Sequence, residues 1–210
     1  MKAIKINFSE ANDERFGQSK WWGMPDMPED WEYPEITGDD GEPWPLTFVC
    51  QIRCADIAKF DTENLLPHEG MLYFFAAIDE YIETAWADCP YHHGLGEWSH
   101  DAFKVLYSPT TDNLTPFEIS LDDDEPAYFP VEAINFKEDD PYSYGFRLLG
   151  KATPGEVADY YGDYYNLLQI EEEERWDLRL YDMGMINFLI KLEDLKAKRF
   201  EKTILYFESL

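Results

Sequence analysis

The sequence predicts an α+β fold dominated by strands, in which two similar halves share one core. Apolar runs of strand length outnumber amphipathic helical segments along the 210 residues. A Gln-Ile pair ends an apolar strand twice, at Gln51 and Gln169, and a Gly-Met pair then opens another apolar strand, at Gly70 and Gly184. Neither half has enough strands to bury its own apolar faces, so we expect one domain over residues 1–210 that arose by internal duplication.

The first predicted elements are a strand and a long irregular segment. Ile4, Ile6 and Phe8 alternate with polar residues, which is the period of a half-buried strand. Residues 19–45 are rich in Trp, Pro, Gly and acidic residues. Prolines at this density oppose both helix interiors and central strands, because each fixes φ and removes an N–H donor. The segment is therefore predicted to be an irregular loop anchored by buried tryptophans.

The first predicted repeat, approximately residues 19–108, contains three apolar segments of strand length. They lie at 46–52, 71–78 and 102–107. Residues 81–99 are rich in Gly, Trp, His and acid and have no counterpart of similar length later in the chain, so we interpret them as an insertion. Short strand-like pieces between acidic turns follow the repeat, at 117–119 and 131–136.

The second predicted repeat, approximately residues 147–208, follows the same order of strands. Its strands are predicted at 167–170, 185–190 and 203–207. A Thr-Pro-Gly-Glu sequence at 153–156 places a capping residue, a first-turn proline and a glutamate as a helix start requires, so a short helix is predicted to about Tyr161. Apolar residues among charges at 192–200 predict a second short helix.

Several motifs occur together in a defined order. Residues 19–28 read Ser-Lys-Trp-Trp-Gly-Met-Pro-Asp-Met-Pro, a strand then ends in Gln-Ile at 51–52, and residues 70–75 read Gly-Met-Leu-Tyr-Phe-Phe. Leu-Leu-Gly at 148–150, Leu-Leu-Gln-Ile at 167–170 and Gly-Met-Ile-Asn-Phe at 184–188 follow. Over roughly residues 19–207 this order resembles the YwqG-like family, although Trp21 and Trp22 stand where that family usually has small or aromatic-Gly residues.

The resemblance implies a protein-binding role rather than a reaction. The YwqG-like family has no assigned biochemical function and no established catalytic residues. Its Gln-Ile strand is similar to one in eukaryotic ribosome-assembly chaperones that escort a basic ribosomal protein, and its bacterial members resemble candidate immunity proteins that mask toxins. The resemblance therefore implies a chaperone-like or immunity-like module.

The formal charge of −27, from 44 acidic against 17 basic residues, narrows the class of partner. It disfavours nucleic acid and anionic membranes and favours a basic protein or peptide. No apolar run reaches the 18 or so residues of a spanning helix, and the N-terminus lacks the pattern of a signal peptide, so a cytoplasmic location is predicted. Three cysteines without metal-type spacing fit reduced thiols, while the oligomeric state is not predicted.

Acidic loops and tryptophans are the predicted partner-binding residues. The densest acidic loop comprises Asp122, Asp123, Asp124 and Glu125. Together with acidic residues at 138–140 and 171–174 it is predicted to steer a basic partner, and Trp21 and Trp22 are predicted to supply an apolar contact centre. The alternatives are solvated turns in an acidic lineage or habitat for the loops, and anchoring of the proline-rich loop in the core for the tryptophans.

Two glutamines and two glycines are predicted to be structural. Gln51 and Gln169 end equivalent strands, where a buried amide is expected to bond a neighbouring backbone, with ligand contact as the alternative. Gly70 is expected where a turn or bulge can demand φ > 0, and Gly184 is expected at the equivalent place in the second repeat.

No chemistry beyond binding is predicted from the motifs. No catalytic, nucleotide-binding or calcium-loop motif is present, so no catalytic residue and no cofactor is assigned. Cys89, His92, His93 and His100 have no standard zinc spacing, so no metal is predicted. The alternative function is an enzyme or small-ligand binder with its site in the cleft between the two halves.

Overall fold

A computed structural model of the protein describes residues 2–38, 41–78, 94–119, 129–152, 155–176, 178, 180–181 and 183–209. The described secondary structure is mostly strand. The strands in chain order are β1 (Ala3–Glu10), β2 (Lys20–Trp21), β3 (Asp26–Pro28), β4 (Glu35–Thr37), β5 (Pro43–Pro45), β6 (Thr47–Arg53), β7 (Met71–Ala76), β8 (Gly96–Glu97), β9 (Phe103–Ser108), β10 (Leu114–Pro116), β11 (Glu132–Asp139), β12 (Arg147–Leu148), β13 (Tyr164–Glu171), β14 (Met185–Lys191) and β15 (Ile204–Glu208). The helices are short: α1 (Cys54–Ile57), α2 (Glu156–Tyr161) and α3 (Leu192–Lys196).

Within the described residues, eleven of the strands form one antiparallel sheet in the order β8-β15-β14-β13-β12-β1-β11-β2-β6-β7-β9. Strands β2, β6, β7 and β9 lie on one side of its centre, and β12 to β15 lie on the other. The remaining described strands pair as β3 with β10 and β4 with β5. None of the helices in this part of the chain has the length and apolarity needed to cross a membrane.

The centre of the sheet is formed by β1 and β11, each of which pairs with strands from the other half of the chain. β1 pairs with β11 and β12, and β11 pairs with β2. The two central strands share the tripeptide Ile-Asn-Phe, at 6–8 and 134–136. In the antiparallel register Asn7 lies opposite Asn135. The same tripeptide is therefore presented from both strands around a common centre.

Matching rows of cross-strand partners lie on the two sides of this centre. Lys20 of β2 pairs with Gln51 of β6, and Arg147 of β12 pairs with Gln169 of β13. Both rows place a buried cation beside a buried glutamine, since all four side chains are at most 1% exposed.

The predicted strands at 46–52, 71–78, 102–107, 131–136, 167–170, 185–190 and 203–207 are confirmed in type, with ends shifted by up to three residues. The short helices predicted after residues 153 and 191 are also present as α2 and α3, although α3 is shorter than predicted because Lys198 adopts a positive φ of 56°. A further short 3-10 turn, Phe200–Lys202, then leads into β15.

Two local predictions are wrong. The segment 19–45 is not a loop throughout, because β2 lies inside the large sheet between β11 and β6. β2 precedes the first proline, Pro25, so its N–H groups remain available for the ladder. The strand predicted at 117–119 is replaced by β10 at 114–116, while Phe117 donates a single backbone hydrogen bond to Pro25 O (2.8 Å).

Gly70 and Gly184 both stand where the chain passes another backbone closely. A Cβ on Gly70 would overlap the carbonyl oxygen of Ser108, and Gly70 also has a φ of +81°. A Cβ on Gly184 would overlap the carbonyl oxygen of Leu180. Glycine is required at these positions for space and, at Gly70, also for conformation.

Candidate functional site

The predicted site residue Gln51 belongs to a buried polar network centred on Asp26. The Asp26 N–H donates to Gln51 Oε1 (2.8 Å), and Gln51 Nε2 donates to Asp26 Oδ2 (2.6 Å) and to Gln18 O (2.9 Å). Asp26 Oδ2 also accepts the N–H of Gly17 (2.8 Å) and lies 3.0 Å from Lys20 Nζ. The amide therefore ties β6 to the start of β3, at Asp26, and to the segment before β2, at Gln18.

Burial dominates the electrostatics of this network. Lys20 and Asp26 are each 1% exposed. Burial lowers the pKa of Lys20 below its ordinary value of 10.5, and the opposing influence of Asp26 is smaller. The pair links β2 to β3, since Lys20 belongs to β2 and Asp26 is the first residue of β3.

Gln169 occupies a comparable network with a guanidinium in place of the ammonium. Gln169 Oε1 accepts Arg147 Nη2 (2.7 Å) and Asn166 Nδ2 (2.9 Å), and Gln169 Nε2 donates to Gly145 O (3.0 Å). Burial lowers the pKa of Arg147 to about 10. Both glutamines form hydrogen bonds with backbone groups of neighbouring segments, and neither side chain is exposed to solvent.

Trp21 and Trp22 lie in the core. Both are 0% exposed. They pack on Trp176, with ring centroids 6.0 Å and 5.6 Å away, and Phe146 completes the cluster against Trp21. Core anchoring, the alternative left open by the sequence, describes their position. A partner could not reach either ring without disrupting this cluster.

The predicted acidic loops have separate positions. Asp122, Asp123, Asp124 and Glu125 lie outside the described residues. The other two loops both contact the loop after β11, because Asp139 Oδ2 accepts Ser143 Oγ (2.9 Å) and Glu171 Oε1 accepts the Gly145 N–H (2.6 Å). The carboxylates of Asp139 and Glu171 therefore stabilise the loop after β11 through these hydrogen bonds.

A surface groove of about 520 Å³, which we call the acidic groove, lies beside the end of β3. One wall is formed by residues 28–31 and the other by residues 108–110, 112 and 113. The pairing of β3 with β10 brings these walls together, and the Glu29 N–H donates to Asn113 O (3.4 Å). A turn in which the Trp31 N–H donates to Pro28 O (3.0 Å) shapes the first wall.

The side chains of the acidic groove combine three carboxylates with one aromatic ring. Glu29, Asp30 and Asp112 are exposed. Trp31 is half-buried and packs edge-on against Tyr73, with centroids 5.8 Å apart. Carboxylates beside an indole face suit a lysine or arginine side chain, which can form ion pairs and a cation–π contact together.

The walls of the acidic groove belong to two long segments of the chain that contain no basic residue. Residues 21–52 and 105–136 hold fifteen acidic residues and no Lys, Arg or His. In the fold the segments meet, because β3 pairs with β10 and the Gly23 N–H donates to Phe129 O (3.0 Å). This absence of basic residues is the sequence signal that could have located the site. Trp31, which is half-buried, is the tryptophan that lines the groove, whereas Trp21 and Trp22 are buried.

A second groove of about 390 Å³ lies between residues of the two halves, and we call it the inter-half groove. Residues 100 and 103–106 line one side and residues 200–203 line the other. Its titratable lining groups are His100, Lys104, Glu201 and Lys202.

Metal-binding and nucleophilic groups are not assembled in the described part of the chain. No group of three or more His, Cys, Asp or Glu side chains there could hold a metal ion, and Cys89, His92 and His93 fall outside it. Cys50 and Cys54 are buried, which raises the pKa of Cys50 well above its ordinary value and that of Cys54 to about 12. At neutral pH both thiols stay protonated and unreactive.

Comparison with known proteins gives a family match. The model of a family described as "Domain of unknown function (DUF1963)" matches residues 19–144 and again residues 134–208. The second match begins within β11, earlier than the repeat boundary predicted at residue 147. No curated protein matches the chain.

Proposed function

Since the chain belongs to the DUF1963 family, a domain of unknown function, we propose from its surface that it is a cytoplasmic protein-binding module that holds a basic segment of a partner protein. A chaperone or an immunity protein acts in this way, by covering a basic surface until it is released. The acidic groove is the proposed contact site.

One observation carries the proposal: the two base-free segments come together where Trp31 is exposed to a groove. Other acidic stretches of the chain have lysine or arginine neighbours, such as Arg175 beside Glu173 and Lys2 beside Glu138. In the described part of the acidic groove, Glu29, Asp30 and Asp112 form no ion pair.

The proposed binding has two stages. The negative potential of a chain with charge −27 attracts a basic partner, and this attraction is screened beyond about 8 Å at physiological salt. Within the groove a partner lysine or arginine then lies against the Trp31 face and pairs with nearby carboxylates. We expect steering to control association and the aromatic contact to control dissociation.

The test is binding of a short Lys/Arg-rich peptide, followed by stopped-flow tryptophan fluorescence at several salt concentrations. Replacing Glu29→Gln, Asp30→Asn and Asp112→Asn together should slow association, flatten the salt dependence and weaken affinity about 3- to 30-fold. Trp31→Ala should speed dissociation about tenfold or more. Thermal unfolding of each variant checks that the fold is kept.

The matched control changes the net charge equally at exposed positions away from the groove. It combines Glu10→Gln, Asp159→Asn and Glu193→Gln, all exposed. The control should bind nearly as well as the original protein at physiological salt. If it loses as much affinity as the groove variant, or if the basic peptide does not bind at all, the acidic groove is not the contact site.

We also propose that the two halves are an internal duplication with central strands exchanged between them. The paired rows containing Gln51 and Gln169 and the two family matches support it. The repeats then begin at β1 and β11 rather than at residues 19 and 147. An experimental structure in which Gln51 and Gln169 do not superpose would contradict the duplication.

A further inference from the structure

The inter-half groove runs beside an edge of the large sheet. β9 is the last strand at one end of the sheet, and β15 lies next to β8 at the other. The groove is lined by four consecutive residues of β9, 103–106, and by residues 200–203, which lead into β15. A ligand in this groove would therefore lie along β9.

The side of β9 away from β7 carries backbone donors and acceptors in a narrow groove, where Phe103 is 3% and Val105 is 7% exposed. The Ala77 N–H donates to Ala102 O (2.8 Å), so in the antiparallel ladder Lys104 and Leu106 also direct their backbone groups to β7. The N–H and C=O groups of Phe103, Val105 and Tyr107 consequently face away from β7. In the described part of the chain no other strand pairs with them.

These outward groups recur every second residue, about 7 Å apart. A ligand that satisfies both the donors and the acceptors at this spacing is an extended polypeptide, as in strand addition to a sheet edge. A small anion could use the charges of the groove but not the alternating acceptors.

The groove lies beside a local concentration of positive charge on a strongly acidic protein. Residues 191–202 carry five basic residues against three acidic ones, Glu193, Asp194 and Glu201, so this segment has a net charge of +2 in a chain of −27. Arg199 pairs with Asp194, whereas Lys196 and Lys202 form no ion pair with a described residue. Lys104 and Lys202 line opposite sides of the groove.

We propose that the inter-half groove binds an acidic segment of a partner polypeptide in an extended conformation, with its backbone paired to β9 and its carboxylates beside Lys104 and Lys202. Charge complementarity selects this occupant, because the rest of the surface repels acidic chains. The site is separate from the acidic groove and does not depend on it. A lysine on an edge strand can instead serve to discourage strand addition, and that role predicts no peptide binding.

The test uses three synthetic peptides with blocked ends. The first alternates Glu and Val, the second alternates Lys and Val, and the third carries Pro in place of the central Val of the first. The acidic peptide should bind, and its affinity should fall as the salt concentration rises. The lysine peptide should not compete in this groove, and the proline peptide should bind at least threefold more weakly because it lacks a ladder donor.

Residue-resolved amide exchange by NMR identifies the mode of binding. The acidic peptide should slow exchange of the Phe103, Val105 and Tyr107 amides about tenfold or more. The amides of Lys104 and Leu106, already bonded to β7, should change little. This alternation distinguishes strand addition from a charge contact alone.

Protein variants complete the test. The double variant Lys104→Gln with Lys202→Gln should lower the affinity for the acidic peptide about two- to tenfold. Lys137→Gln, at an exposed position on β11, should leave this affinity unchanged. No binding, equal binding of the lysine peptide in the groove, or binding without slowed outward amides would overturn the proposal. It would also be overturned if the protein self-associates through these lysines and already protects the outward amides, because the occupant would then be a second copy.

Discussion

Replacing Asp26 by Asn would test the buried network that holds β2, β3 and β6 together. Asparagine keeps the shape of the side chain, but it leaves the buried Lys20 ammonium without its carboxylate partner at 3.0 Å. Removing one member of a buried pair typically costs about 3–5 kcal/mol. For a chain of this size we expect the melting temperature to fall by roughly 6–20 °C. Urea unfolding followed by tryptophan fluorescence measures the free energy directly.

The pH dependence of the Asp26→Asn variant gives a sharper result. Burial already lowers the pKa of Lys20 below 10.5, and loss of the carboxylate removes an influence that raises it. The pKa of Lys20 is lower in the folded state than in the unfolded state. At pH values between these two pKa values the unfolded state binds more protons, so the free energy of unfolding rises with pH. The loss of unfolding free energy in the variant, relative to the original protein, should therefore be largest near neutral pH and become smaller as the pH approaches 10.

A double variant separates the charge from the hydrogen bonds. If the uncompensated ammonium causes the loss, Lys20→Met combined with Asp26→Asn should be more stable than the sum of the single effects predicts, by about 1–3 kcal/mol. Strictly additive effects, or a deficit of Asp26→Asn that stays constant with pH, would refute the assignment of the cost to Lys20.

Two further results are expected from the backbone and the thiols. Gly70→Ala should destabilise the protein by more than about 3 kcal/mol in urea unfolding, because it combines a positive φ with overlap on a carbonyl. Gly17→Ala, with a φ of +65° but open space, should cost about 1–2 kcal/mol, and equal losses would contradict the overlap argument. Cys50 and Cys54 should not react with a thiol reagent at pH 8 until urea unfolds the protein; labelling in the native state, located by mass spectrometry, would show that they are accessible.

The roles of the tryptophans could be predicted only in part from the sequence. Neighbouring residues in a strand point to opposite faces, so Trp21 and Trp22 would be expected to separate, with one ring exposed. Trp22 has a φ of 56°, and this turn of the chain lets both rings reach Trp176. A left-handed tryptophan has no local sequence signature. Trp31 is exposed to a groove only because the later strand β10 pairs with β3.

The long strands were predicted well because their apolar runs are long and their periodicity is clear, whereas the strands of two or three residues, β2 to β5, β8, β10 and β12, were not predicted. Their partners could not be predicted in the same way. An alternating pattern identifies the buried face of β1, but it does not say that β1 pairs with a strand from the second half. The Ile-Asn-Phe tripeptide of the two central strands also occurs in β14, at 186–188, so it does not identify the central pair before the register is known. The Gln-Ile and Gly-Met pairs predicted similar halves starting near residues 19 and 147, and the second family match begins at residue 134.

The pairing of β1 with β11 has a consequence for how the protein is made. Ile6 lies opposite Phe136, so the first strand is synthesised 130 residues before the strand that pairs with it. At ribosomal rates of about 5–20 residues per second, β1 waits roughly 6–26 s for this partner. Throughout that interval a nascent chain carries an apolar strand with two open edges. During synthesis β1 is thus open to pairing with a wrong strand. Neither half of the chain can prevent this alone, and the exposure ends when β11 and β12 pair with β1.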